Sequence, residues 1–128
     1  MLIIPFNQIK HNKHAITLLN ARGMDPNLVN DLPEHGLIAL EGDTPIAMGF
    51  IRRVEGLSAM LDSYITAPNA SSEARGRAVT IITRKLLHWA KSGGCMRMMS
   101  FSLEPSFVTR AEALGFVPMP HKLLVKNL

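Results

Sequence analysis

At 128 residues, with 47% hydrophobic and 19% charged side chains, the chain has the composition of one globular domain spanning residues 1–128 and of neither a disordered nor a fibrous protein. Its single cysteine, Cys95, excludes an internal disulfide and a cysteine-based zinc cluster and points to a reducing compartment, by default the cytoplasm. The net charge of +4 suits a phosphorylated ligand, nucleic acid or an anionic surface without selecting one, while the start MLIIPFNQIK is not a signal peptide and no apolar run approaches the ~20 residues of a membrane span.

Leu2 to Pro5 reads as a short apolar strand. Asn7 caps a predicted helix running to about Arg22 and closed by Gly23, with Ile9, Ile16 and Leu19 on its buried face. His11 and His14 share that helix within reach of one metal ion, but no third ligand is near in sequence. With Lys10 and Lys13 they read as a solvated face, and no metal is expected. Asp25-Pro26 starts a short helix to about Leu32.

Beta structure follows. Leu37 to Leu40 and Pro45 to Arg52 are two runs joined by the turn Glu41-Gly42-Asp43-Thr44, and Ser58 to Thr66 is a third strand. Alternation along the third strand puts Met60, Asp62, Tyr64 and Thr66 on one face, and Ala59, Leu61, Ser63 and Ile65 on the other. The three strands read as an antiparallel meander.

After Pro68, the run Arg75-Gly76-Arg77-Ala78 opens an amphipathic helix whose buried stripe is Val79, Ile82, Leu86 and Trp89. Free N–H groups, the positive end of the helix dipole, Arg75 and Arg77 together suit an anion. Two registers fit: a start at the arginine turn, or an earlier one capped by Ser71 or Ser72. In the second, Gly76 lies inside the helix and the donors move to about Glu73, Ala74 and Arg75. Ser92-Gly93-Gly94 ends the helix, and Cys95 to Leu103 is a strand reached by a crossover, hence parallel to its partner and right-handed in connection. Ser106 to Leu114 is a further helix, and the tail Phe116 to Leu128 supplies one or two last strands, most clearly Lys122 to Lys126. The class is mixed α/β (α+β), a mixed central sheet with helices on both faces.

That order resembles the GNAT superfamily of N-acetyltransferases over nearly the whole chain. Local matches are Ile65-Thr66-Ala67-Pro68 at the meander's end, Gly76-Arg77-Ala78 at the helix start, Ala113-Leu114-Gly115-Phe116, and Gly49 midway along the second meander strand. The resemblance implies a strand that bulges and splays from its neighbour, acetyl-CoA as co-substrate and a primary amine as acceptor. Transfer would be by direct attack in a ternary complex. It further implies pantetheine on the backbone of Ile65, Thr66 and Ala67, and pyrophosphate at Ala74, Arg75, Gly76, Arg77 and Ala78. Preorganised N–H donors at a carbonyl that gains negative charge, together with proximity, supply most of such catalysis. Asp62 falls where some members carry a carboxylate that takes the amine's proton. Tyr64, the one tyrosine, stands as a substitute acid because the family's usual tyrosine position is Ala111 here. For each, the bland alternative is strand packing or a hydrogen-bonded strand residue. Glu73 also departs from the family's loop pattern. The alternative function is a GNAT-fold acyl-CoA-binding or structural module without efficient transfer. Nucleic-acid binding lacks interleaved aromatics, with aromatic content at 5%. The apolar segment Leu123-Leu124-Val125 has the composition to join a sheet edge in a homodimer.

Overall fold

The computed structural model describes residues 1–102 and 104–128. In chain order its elements are β1 (Leu2–Pro5), α1 (Asn12–Ala21), a 3₁₀ helix (Pro26–Asp31), β2 (His35–Glu41), β3 (Thr44–Arg53) and β4 (Ser58–Thr66). They are followed by α2 (Ser72–Ser92), β5 (Arg97–Met99) and α3 (Pro105–Ala113). The strands lie side by side in sequence order, antiparallel from β1 to β4 and parallel between β4 and β5. Parallel pairing needs a long crossover, and α2 provides it.

Each face of the sheet carries its own apolar layer. On one side Leu18 and Leu19 of α1 and Val29 of the 3₁₀ helix meet Ile38, Met48, Phe50 and Ile65. On the other, Ala78, Ile82 and Leu86 of α2 meet Ala39, Ala47 and Leu61, with Tyr64 and Phe107 at the margin. Because both faces are covered, β2 and β3 read as near-continuous apolar runs rather than alternating ones. Among the described residues no helix is long and apolar enough to cross a membrane.

Three expectations change. The first helix begins at Asn12, not just after Asn7, because residues 8–11 form turns whose N–H groups at Ile9 and Lys10 are taken by the Asn7 side chain. Ile9 therefore leaves the helical phase and is 90% exposed, while Ala15 and Leu18 join Leu19 on the buried face. The strand expected over Cys95–Leu103 is only Arg97–Met99, and Leu103 lies outside the described residues. Finally, Lys122 to Lys126 form no strand. Two prolines, Pro118 and Pro120, interrupt the approach to that segment, and Leu124 and Val125 stand in solvent.

His11 is not solvated either: it is buried, beside Phe6, and its Nδ1 accepts the Asn7 backbone N–H at 2.8 Å. Burial, then the nearby His14 and Lys10, lower its pKa from the usual 6.5. A lowered basic pKa means that the folded state binds fewer protons than the unfolded chain just below pH 6.5, so stability present above that value falls as the pH drops. His11→Gln offers an acceptor that does not titrate. Urea unfolding at about pH 7 and pH 5 should therefore show a smaller acid loss of stability in His11→Gln than in the wild type; equal losses would contradict the assignment.

Candidate active site

Pairing between β4 and β5 spans Ser58–Met60 and Arg97–Met99 and then stops. Beyond it, β4 continues to Thr66 with no strand on that edge among the described residues, while the chain after β5 diverges toward α3. The gap is a cleft of about 980 Å³, bounded by Met60–Thr66, Ser100–Ser102, α3 and the start of α2. A β-bulge sets its shape. One residue, Gly49, separates Met48 from Phe50 on β3, whereas Ser63 and Tyr64 separate their partners Ile65 and Asp62 on β4. Ser63 takes the left-handed conformation, φ 53°, at a cost of about 1–2 kcal/mol for a non-glycine residue.

The extra residue overturns strict alternation: Asp62 and Tyr64 face opposite sides of the sheet. Tyr64 joins the α2 layer, edge-on to Phe107, with its hydroxyl 3.0 Å from Thr83 Oγ1. Thr83 already donates to the Val79 carbonyl, so Tyr64 is the donor. Burial, the largest cause, pushes the Tyr64 hydroxyl pKa up. Asp62 turns the other way, where Arg52 Nε donates to its Oδ2 at 2.6 Å and Ser63 Oγ to its Oδ1 at 3.1 Å. Arg52 also reaches the Asp31 carbonyl in the 3₁₀ helix. Both Asp62 and Tyr64 line the cleft, but each has its hydrogen-bond partner.

The remaining predicted residues divide along the cleft. Ile65 is buried in the α1 layer. The Thr66 carbonyl and hydroxyl accept from Arg22 at 2.8 and 2.6 Å, and the Ala67 N–H donates to the Ile46 carbonyl across the sheet. Helix α2 starts in the earlier of the two registers. Ser71 is the cap, its Oγ accepting from Ala74 N–H and its carbonyl from Arg75 N–H. Ser72 and Glu73 are then the first-turn N–H groups left to face a ligand. Arg75 lines the cleft, with its Nη1 on the Pro68 carbonyl at 2.9 Å. Gly76 lies inside the helix and is buried, Arg77 points outward and Ala78 packs on the sheet.

Sequence reading missed three contributors: Arg22, Arg52 and Arg110. The first two sit at the ends of elements and act on partners 44 and 10 residues away, a relation only the fold creates. Arg110 lines the cleft from α3. Its neighbour Ala111 carries the family signal, and nothing local marks Arg110.

No protein-family model matches the chain, and no curated protein matches its sequence. Its fold does match solved structures. An aminoglycoside antibiotic 6'-N-acetyltransferase from Acinetobacter haemolyticus aligns with a TM-score of 0.71 at 21% identity, over 100% of this chain and 99% of that one. AAC(6')-Iy, in complex with the bisubstrate analogue CoA-S-monomethyl-acetylneamine, aligns at 0.72 and 18% identity, over 99% and 97%. A GNAT-family acetyltransferase from Streptococcus pneumoniae aligns at 0.71 and 13% identity, over 99% and 100%. The chain has the fold of the GNAT acetyltransferases.

Gly49 leaves room for the ring of the bulge residue Tyr64. A Cβ there would lie 2.8 Å from Cε1 and Cζ of Tyr64 and 3.0 Å from Ile82 Cγ2, all atoms in a packed layer. Gly49→Ala should therefore lower stability by about 1–3 kcal/mol in denaturant unfolding. In a Tyr64→Ala background the same substitution should lose much of its effect; an unchanged effect there would mean that the ring is not what Gly49 accommodates.

Proposed function

We propose that this chain is an N-acetyltransferase that moves an acetyl group from acetyl-CoA to a primary amine by direct attack in a ternary complex. One observation carries the reading: β4 and β5 part beyond Met60 and Met99, opening a cleft that ends at the first turn of α2 beside Arg75. Such a gap suits an extended thioester arm lying along the free edge of β4, with its phosphates at the helix start.

The co-substrate brings an activated carbonyl and a good leaving group; the chain supplies binding and orientation. Ser72 and Glu73 N–H groups with Arg75 hold phosphate oxygens, and the unpaired edge of β4 around the bulge offers donors to the carbonyl. The amine enters from the α1 side, where Asp62, oriented by Arg52 and Ser63, receives the proton directly or through water. Tyr64, tied to Thr83 and Gly49, acts as a packing post for the bulge rather than as the acid. The sulfur departs as thiolate or takes its proton from solvent, since a thiol pKa of about 8.5 requires no strong acid. The setting is a reducing compartment, in keeping with the lone Cys95, and the exposed residues Leu123, Leu124 and Val125 are the proposed contact of a homodimer.

A second reading has its own observation. Asp62 and Tyr64 both carry hydrogen-bond partners already, which suits a module that binds acyl-CoA without efficient transfer.

Calorimetric titration should show acetyl-CoA binding, weakened about tenfold or more by Arg75→Glu. Absence of binding at millimolar concentration would overturn both readings. Thiol release across a panel of primary amines separates them: the enzyme turns over and loses roughly tenfold or more in kcat on Asp62→Asn, whereas the module binds without turnover.

A further inference from the structure

Gly76 is out of place by every local criterion. It lies in the second turn of α2, its φ is not positive, and a glycine inside a helix costs about 0.5–1 kcal/mol relative to alanine. The backbone does not require it, and the space beside it is taken by a side chain from another helix. A Cβ at Gly76 would lie 2.5 Å from Nη2, 3.0 Å from Cζ and 3.1 Å from Nε of Arg110, so the atoms filling that space belong to one guanidinium.

Arg110 is half-buried, and among the described residues its guanidinium makes no ion pair and no hydrogen bond. None of its nitrogens is buried without a partner among the described residues, so the guanidinium is open to solvent and free to take an anion in charge-assisted hydrogen bonds. Its position says where the anion would be. Arg110 lines both the cleft and a separate groove of about 730 Å³ along the outer side of α2, whose other walls include Ser72, Arg77, Thr80 and Arg84. Arg77 and Arg84 are two turns apart on one helix face. A ligand passing from the cleft across the start of α2 into the groove would cross Arg110 and then meet those two cations.

We infer that Gly76 is the seat of Arg110, and that the seated Arg110 grips phosphate oxygens of an acyl-CoA as its nucleotide end leaves the cleft. Gly76 is then a positioning residue: it gives room to the guanidinium, not to the phosphate itself. The inference rests on the acyl-CoA reading above.

CoA affinity measured by calorimetry across a double-mutant cycle tests it, with thermal midpoints recorded for every variant. Arg110→Ala should weaken CoA binding about 10- to 100-fold, as expected for loss of charge-assisted hydrogen bonds. Arg110→Gln should do the same if the alanine variant folds poorly, and Arg110→Lys should recover part of the loss. Gly76→Ala should weaken binding about tenfold without lowering the thermal midpoint, because the added methyl favours the helix. In the Arg110→Ala background, Gly76→Ala should have no further effect. Wild-type binding with unchanged affinity in Arg110→Ala and Arg110→Gln would overturn this inference alone. A further loss from Gly76→Ala in the Arg110→Ala background would also overturn it, since the glycine would then serve the ligand directly. Failure of the wild type to bind CoA would remove the acyl-CoA reading and this inference with it.

Discussion

One extra residue in β4 organises the rest of the molecule. Between Met48 and Phe50 the neighbouring strand has Gly49 alone, and β4 answers with Ser63 and Tyr64. The surplus forces Ser63 into a left-handed backbone and turns the remainder of β4 over, so that Leu61 and Tyr64 face α2 while Ile65 faces α1. A bulge also bends and twists its strand. Pairing between β4 and β5 has already ended at Met60 and Met99, so the bulge lies on the stretch of β4 that borders the cleft. The strain is held by packing: the Tyr64 ring fills the place where Gly49 has no side chain, Phe107 meets it edge-on, and Thr83 accepts its hydroxyl. Face assignment along the cleft wall and the position of the one tyrosine thus follow from a single insertion.

Charge is distributed along that cleft in a way the net value of +4 conceals. At one end Asp62 is matched by Arg52, which also binds the Asp31 carbonyl. At the other, Arg75 and Arg110 line the cleft, with Arg77 and Arg84 in the adjoining groove. Cations near a helix N-terminus oppose its dipole, so this clustering is unfavourable to α2 taken alone. An anion between the arginines and the Ser72 and Glu73 N–H groups would be attracted by both and so offset that repulsion. Glu73 supplies a smaller compensation in the first turn of the helix.

Elements with strong periodicity or punctuation were legible in the sequence. Ser58–Thr66 has the expected bounds, the hairpin before it turns at Gly42, and the long helix with its parallel crossover follows as read. What was not legible depends on contacts between distant residues. Alternation cannot reveal a bulge, because the extra residue is defined by its partner strand; Asp62 and Tyr64 therefore fell on one face in the linear pattern. Ile9 matched a helical stripe, but the Asn7 side chain captured the N–H groups of Ile9 and Lys10 and delayed the helix. The tail has strand-like composition around Leu124, but composition does not provide a neighbouring strand. In the site, Arg75 was visible because it adjoins a helix start, whereas Arg110 acquires meaning only when α3 lays it on Gly76.

The division of labour around the bulge bears on how the proposed chemistry would proceed with Ala111 where the resemblance leads one to expect a tyrosine. In the proposed reaction Tyr64 holds the bulge and is not the acid: its hydroxyl is committed to Thr83, and burial makes its proton harder to release. A thioester needs little help at the sulfur, because a thiolate of pKa about 8.5 departs readily. The proposed acyl transfer would therefore depend on the carbonyl carbon and on the amine, and those demands would fall on the edge of β4 and on Asp62. The same bulge turns Asp62 toward α1 and away from the face that holds Tyr64, so an amine and a thioester can approach from opposite sides of one strand. Separation of the two approaches, rather than a dedicated acid, is what this architecture would contribute to the proposed ternary-complex reaction.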